Sequence, residues 1–133
     1  MTSRIDSINI TCTNPEQLGA FWQQVLGLRE DPENPNLPGD EEFLFTTEPI
    51  AITFLFQPLS EGRGFPRIHF DVDAVDRTRD EEVERLLAIG AELVADERKE
   101  DGSGWVTLRD PDGYELCVQR SKEERAAEFK LRS

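Results

Sequence analysis

The stretch Trp105-Val-Thr-Leu-Arg-Asp110-Pro-Asp-Gly113-Tyr-Glu-Leu-Cys117-Val118 decides how the rest of this chain is read. Val106 and Leu108 alternate with Trp105 and Thr107, and Leu116 and Val118 alternate with Glu115, Cys117 and Gln119, so each side of the break reads as a strand. The break itself is Asp-Pro-Asp-Gly. Pro111 presets φ for the first turn position, Asp110 or Asp112 can bond the backbone just ahead, and Gly113 accepts a positive φ. The expectation is an antiparallel hairpin. One face of each strand packs on a core, and the function depends on what the other face holds.

Working back from the hairpin, the sequence predicts a strand over 67–72, a helix ending at Gly90 and a short strand near 91–94. A similar series opens the chain: a strand over 5–12, a helix ending at Gly27, and strands around 43–47 and 51–57. This is the pattern of a gapped duplication, two β-α-β-β-β units about half a chain apart. The expected architecture is α+β, with paired β-α-β-β-β modules forming a curled mixed sheet around a cleft. The whole of 1–133 is taken as one domain: module one at about 4–58, a linker at 59–66 containing Gly62 and Gly64, module two at about 67–120, and a charged tail at 121–133 that packs through Phe129 or frays.

Local signals support both helices. Asn14 suits an N-cap, Pro15 the first helical position, Gln17 the reciprocal capping position and Gly27 the left-handed end. Leu18, Phe21, Trp22, Val25 and Leu26 fall on one stripe, which reads as core. The second helix starts from Asp73 or Asp76 and carries Val83, Leu86 and Leu87 as its stripe. Between 29 and 42, Pro32, Pro35 and Pro38 deny helix and central strand, leaving a loop.

Charge narrows the function. The chain has 15 Lys and Arg against 28 Asp and Glu, a net charge of −13, which repels phosphate backbones and anionic lipid. Nucleic acid and membrane are therefore not expected partners. With two cysteines, Cys12 and Cys117, and no apolar stretch of membrane length, a disulfide scaffold is not expected and a reducing cytoplasm is the expected compartment.

The strand faces opposite the apolar ones collect Ser7, Asn9 and Thr11; Arg67, His69 and Asp71; Trp105 and Thr107; and Glu115, Cys117 and Gln119, with Phe54 or Leu55 from a strand apolar on both sides. Polar side chains on an inward face cost stability unless they bond something, and a small-molecule pocket accounts for them economically.

The paired units, the Arg67-Ile-His-Phe-Asp-Val72 strand and the Asp110-Pro-Asp-Gly113 ending resemble the vicinal oxygen chelate superfamily, specifically its glyoxalase-like domains, from Ile5 to about Gln119. The superfamily includes glyoxalase I, ring-cleaving dioxygenases, fosfomycin-modifying enzymes and metal-free antibiotic-binding proteins, so the resemblance implies a fold and a small-molecule site more than a reaction. In metal-using members, ligands stand at the positions that Ser7, Arg67 and Cys117 hold here. Ser7 is a poor ligand at neutral pH, and Arg67 brings its own positive charge.

The expected function is a glyoxalase-like small-molecule-binding protein that lacks the usual superfamily metal site, with no cofactor expected and a homodimeric state. Its ligand-binding residues are Ser7, Phe54, Arg67, His69, Trp105 and Cys117, and its candidate catalytic residues are His69 and Cys117. Two alternatives stand beside it: a metal-dependent lyase or dioxygenase with a rearranged site around His69, and a non-catalytic interaction module. His69, the single histidine, is read in three ways: a cavity residue that binds or protonates a ligand, a metal ligand in a shifted site with Cys117 or Glu115, or a structural residue bonded to Asp71 or the backbone. Cys117 is read as a small buried hydrophobe, a thiolate nucleophile or a soft zinc ligand.

Overall fold

The structure is a computed structural model and describes residues 2–59 and 67–132, with side chains in the last helix through Ala127. The linker read from the sequence, beyond Leu59, and the side chain of Phe129 lie outside the described residues. The elements in chain order are β1 (Ser3–Cys12), α1 (Pro15–Leu26), β2 (Phe43–Thr46), β3 (Thr53–Pro58), β4 (Arg67–Ala74), α2 (Arg79–Ala88), β5 (Glu92–Asp96), β6 (Val106–Arg109), β7 (Glu115–Val118) and α3 (Lys122–Arg132). The strands form one mixed seven-stranded sheet in the order β2-β3-β1-β4-β7-β6-β5. The chain divides into two compact units, Ser7–His69, and Met1–Asp6 together with Phe70–Ser133.

In the unit Ser7–His69, β1 runs parallel to β3, with Ile8 opposite Phe54 and Ile10 opposite Phe56. β3 then runs antiparallel to β2, with Phe54 opposite Phe45 and Phe56 opposite Phe43. Because successive side chains alternate, this register gathers the apolar residues on one face. Ile10, Phe43, Phe45, Phe54 and Phe56 meet Leu28 and the partly buried Leu18 in a single cluster, within which the Phe45 and Phe56 rings pack edge to face at 5.9 Å. α1 starts as its sequence suggests: Asn14 Oδ1 accepts from the Gln17 amide at 3.1 Å, Pro15 opens the helix, and Gly27 ends it at φ 66°.

The α1 stripe is a correction. Phe21 is 56% exposed, and Val25, Leu26 and Trp22 are exposed as well. The helix meets the sheet through Leu18 and Gly19 instead. A Cβ on Gly19 would stand 2.9 Å from the Phe45 ring, so the missing side chain is what lets the helix approach at this point.

In the other unit, β4 runs parallel to β7 (Phe70↔Leu116, Asp71↔Cys117, Val72↔Val118), and β7 runs antiparallel to β6 (Leu108↔Leu116, Thr107↔Cys117, Val106↔Val118). β5 completes the unit antiparallel to β6, with an irregularity between Leu93 and Ala95. Val106, Leu108 and Val118 are fully buried and pack with Val83 of α2. The hairpin turn is as read: Asp110 Oδ1 accepts from the amides of Asp112 and Tyr114, both at 2.9 Å, and Gly113 takes φ 98°.

The start of α2 differs from expectation. Thr78, not Asp73 or Asp76, is the N-cap, with Glu81 completing a reciprocal capping box. Asp73 is fully buried and serves elsewhere, accepting from Arg4 Nε at 2.9 Å and from the Lys122 amide at 3.2 Å. Ser121 and Glu124 form a second capping box at the start of α3, and the same Glu124 oxygen accepts from the Arg79 amide at 2.6 Å, capping α2 as well.

The exposed face of β4 also departs from expectation. Ile68 is 65% and Phe70 46% exposed, whereas the intervening register buries Asp71 and Asp73.

Candidate functional site

Strand pairing brings Asp71, Cys117 and Thr107 into one row across β4, β7 and β6, because Asp71 is paired with Cys117 and Cys117 with Thr107. All three are buried, Asp71 at 7% and Cys117 at 8% exposure. Immediately along the strands, Val72, Val118 and Val106 form the matching row on the opposite face and enter the apolar cluster beneath α2. The same three strands therefore carry an apolar row and a polar row back to back, set by the two-residue period alone.

Within the polar row, Thr107 Oγ1 and Cys117 Sγ lie 3.5 Å apart, at hydrogen-bond distance for a sulfur partner. His69 stands two residues before Asp71 on the unbroken strand β4 and so shares its face. The ligating atoms of His69, Asp71 and Cys117 all lie within 4.8 Å of one another. A ring nitrogen, a carboxylate oxygen and a thiol sulfur held this close can carry a proton between them or share a cation.

The other residues selected from sequence are placed as follows. Ser7 is buried and donates to Asn9 Oδ1 at 2.5 Å, with Thr11 next on the same face. Thr11 Oγ1 accepts from the Arg67 amide at 3.1 Å and donates to the Arg67 carbonyl at 3.2 Å, so a side chain fixes the first residue of β4. Phe54 packs against the apolar cluster under α1, and it is Leu55 that pairs with Asn9 on the polar face. Trp105 is 39% exposed, its carbonyl accepting from the Glu97 amide. Asp71 and Thr107, both on the collected polar faces but not among the selected residues, are the direct cross-strand neighbours of Cys117; strand parity was the signal for them.

Cys12, the other cysteine, is buried with its Sγ 3.6 Å from the Gln57 carbonyl, and burial pushes its thiol pKa up. Away from the row, fully buried Glu82 is held to a pKa of about 2, chiefly by the Arg85 guanidinium and further by Ser3 and Arg77. A hollow lined by Val75, Arg77, Thr78, Glu81, Ser121 and Ala127 contains none of the residues selected from sequence.

The three superfamily metal positions do not suit a cation. Arg67 offers donors only, the Ser7 hydroxyl is already given to Asn9, and Cys117 alone among them is a good ligand.

A parallel-then-antiparallel strand order is repeated in the two units, each with a polar row opposite its apolar face, the class of fold seen in glyoxalase-like domains. The chain belongs to the family described as glyoxalase-like domain, which matches residues 7–119. Among solved structures, it is similar to methylmalonyl-CoA epimerase from Mycobacterium tuberculosis (TM-score 0.62, 18% identity, covering 92% of this chain and 91% of that one). It is also similar to a chain described as NAD-dependent benzaldehyde dehydrogenase from Legionella pneumophila (TM-score 0.60, 13% identity, 89% and 97% covered). A third is a glyoxalase/bleomycin resistance protein/dioxygenase superfamily member from Vibrio splendidus 12B01 (TM-score 0.57, 17% identity, 88% and 97% covered). At these identities the likeness is one of fold. No curated protein matches the chain. Among the described residues no helix is long and apolar enough to cross a membrane.

Proposed function

We propose that this chain is a glyoxalase-like protein that binds a small organic molecule on the polar faces of its strands, with the superfamily's usual metal positions given over to Ser7 and Arg67. One observation carries the reading: Asp71, Cys117 and Thr107 form a buried polar row directly behind the valine row of the same strands. A sheet that needed only a second core would gain by placing apolar residues there, since burying a hydroxyl or carboxylate costs about 1–3 kcal/mol when its bonds are not fully replaced. The ligand residues are Ser7, Arg67, His69, Trp105 and Cys117, with Leu55 supplying the apolar contact in place of Phe54. A guanidinium has several donors, so internal contacts of Arg67 are compatible with a shared carboxylate or phosphonate on the ligand.

A homodimer is part of the proposal. It is supported by apolar side chains left at the surface, Ile68 and Phe70 on β4 and Phe21 and Val25 on α1. The rival reading, a metal-dependent lyase or dioxygenase with a site rearranged around His69, draws support from the closeness of His69, Asp71 and Cys117.

The test is a thermal-shift screen of small organic acids and aromatic compounds, because a ligand that prefers the native state raises its apparent stability by mass action. Hits whose effect is reduced in Arg67→Ala support the reading. Hits that stabilise Arg67→Ala and Cys117→Val as much as the parent contradict it.

A further inference from the structure

We infer that the segment 29–42 is a built-in cover for the outer edge of β2, holding that edge closed against the β2 strand of a second copy of this chain. All the contacts involved lie within the unit Ser7–His69, and none is made by a proposed ligand residue.

β2 is bonded to β3 along one side only and ends the strand order. Backbone groups alternate in direction along a strand, so the N–H and C=O of Leu44 and Thr46 point away from β3. An edge of this kind, carried by the apolar run Phe43-Leu44-Phe45, is a template for pairing with another chain.

Two residues of the segment take those groups. The Arg29 amide donates to the Thr46 carbonyl at 2.9 Å and the Thr46 amide donates to the Arg29 carbonyl at 2.8 Å, so backbone meets backbone. At Leu44 a side chain stands in for the missing strand. The Leu44 amide donates to Asn36 Oδ1 and Asn36 Nδ2 donates to the Leu44 carbonyl, both at 2.9 Å. A primary amide presents the same donor and acceptor as a peptide group, which is why asparagine suits this position. Asn36 Nδ2 also donates to Glu30 Oε1 at 3.0 Å, which holds the amide in this orientation. All four outward groups of Leu44 and Thr46 are thereby bonded within one chain.

The cover does not present a fresh edge of its own. Pro35 stands directly before Asn36 and Pro38 two residues after it, and neither has an N–H to donate. The segment bonds to itself instead: the Asn34 amide donates to the Asp31 carbonyl at 3.0 Å, and the Leu37 amide to Asp40 Oδ2 at 2.8 Å. Glu30, Asp31, Glu33, Asp40, Glu41 and Glu42 are set against the single cation Arg29, so an approaching second copy also meets like charge.

The test compares the full chain carrying Asn36→Ala with the parent and with Asn34→Ala, a change at an exposed asparagine of the same segment. Amide hydrogen exchange read by nuclear magnetic resonance should speed up about 10-fold or more at Leu44 in dilute Asn36→Ala and stay at the parent's rate in Asn34→Ala. Light scattering of Asn36→Ala should give a mass above the parent's that rises with concentration, and rises further with salt, which screens the carboxylates. Exchange at Leu44 should slow again as the mass rises, which places the new contact on this edge. Circular dichroism checks that each variant is folded, and if Asn36→Ala is not, Asn36→Leu, close in shape and without donor or acceptor, replaces it. Unchanged exchange at Leu44, a mass equal to the parent's at every concentration, or a rising mass with Leu44 still exchanging fast overturns the inference. The parent is the reference throughout, so the outcome is independent of whether the parent is itself dimeric or binds any ligand.

Discussion

Thr107 Oγ1 and Cys117 Sγ stand 3.5 Å apart at directly paired positions of β6 and β7. Both groups are buried, so Thr107→Val should leave the far-ultraviolet dichroism intact and cost about 1 kcal/mol by taking the hydroxyl away from the thiol. Urea unfolding of parent and variant reads this directly. Equal stabilities would reduce the contact to packing.

Glu82 links stability to pH. The carboxylate is fully buried, and its hydrogen bond from Arg85, followed by those from Ser3 and Arg77, holds it at about 2 against an ordinary 4.5. The folded value lies below the unfolded one, so the contribution is complete above about pH 4.5 and is lost as pH falls towards about 2; its full size is ~3 kcal/mol. Urea unfolding across this window should show a steep loss in the parent and a shallower one in Glu82→Gln. That variant should also be less stable at neutral pH by about 3 kcal/mol, because it leaves Arg77 and Arg85 facing a neutral amide.

Arg79 pins the loop before β6. Its guanidinium donates to the carbonyls of Gly102, Ser103 and Gly104 at 3.0, 3.1 and 3.0 Å, and the residue is nearly inaccessible to solvent. Gly104 has φ 91°, and a Cβ there would fall 2.0 Å from the Glu97 carbonyl oxygen. Arg79→Met should cost about 2 kcal/mol by leaving three part-buried carbonyl contacts without their charged donor. Gly104→Ala should cost a similar amount, and the double variant less than the sum, because both release the same loop. Thermal unfolding by circular dichroism measures all three.

The proposed homodimer predicts a light-scattering mass twice that of the chain at micromolar concentration. Phe70→Lys, at a residue 46% exposed in the single chain, should shift the equilibrium towards monomer while leaving the fold unchanged. A monomeric parent would contradict this reading.

The fold was legible where local chemistry and strand period agree. The Asp110–Gly113 turn, the Asn14–Gly27 helix and the alternating partners of the valine row each depend on neighbours a few residues away, and each is found as read. What was not legible depends on tertiary contact. The apolar stripe through Phe21 and Val25 looked like core, but the bare backbone at Gly19 decides which side of α1 meets Phe45. Asp73 has the composition of a helix start, yet Arg4, distant in sequence, claims it, and Thr78 with Glu81 caps α2. For the candidate site, parity placed His69, Asp71, Thr107 and Cys117 on polar faces. That Asp71 and Thr107 both flank Cys117 depends on the register between strands that are distant in sequence. Phe54 and Leu55 could not be separated because both are apolar, and only their pairing with Ile8 and Asn9 tells the two faces apart.

The most direct test of the account is to map a thermal-shift hit onto the backbone amides by nuclear magnetic resonance. Binding on the polar strand faces predicts the largest perturbations at Ser7, Asn9, His69, Asp71, Thr107 and Cys117. Perturbations confined to Phe21 and Val25 on α1, or to the hollow beside Val75 and Ala127, would contradict it.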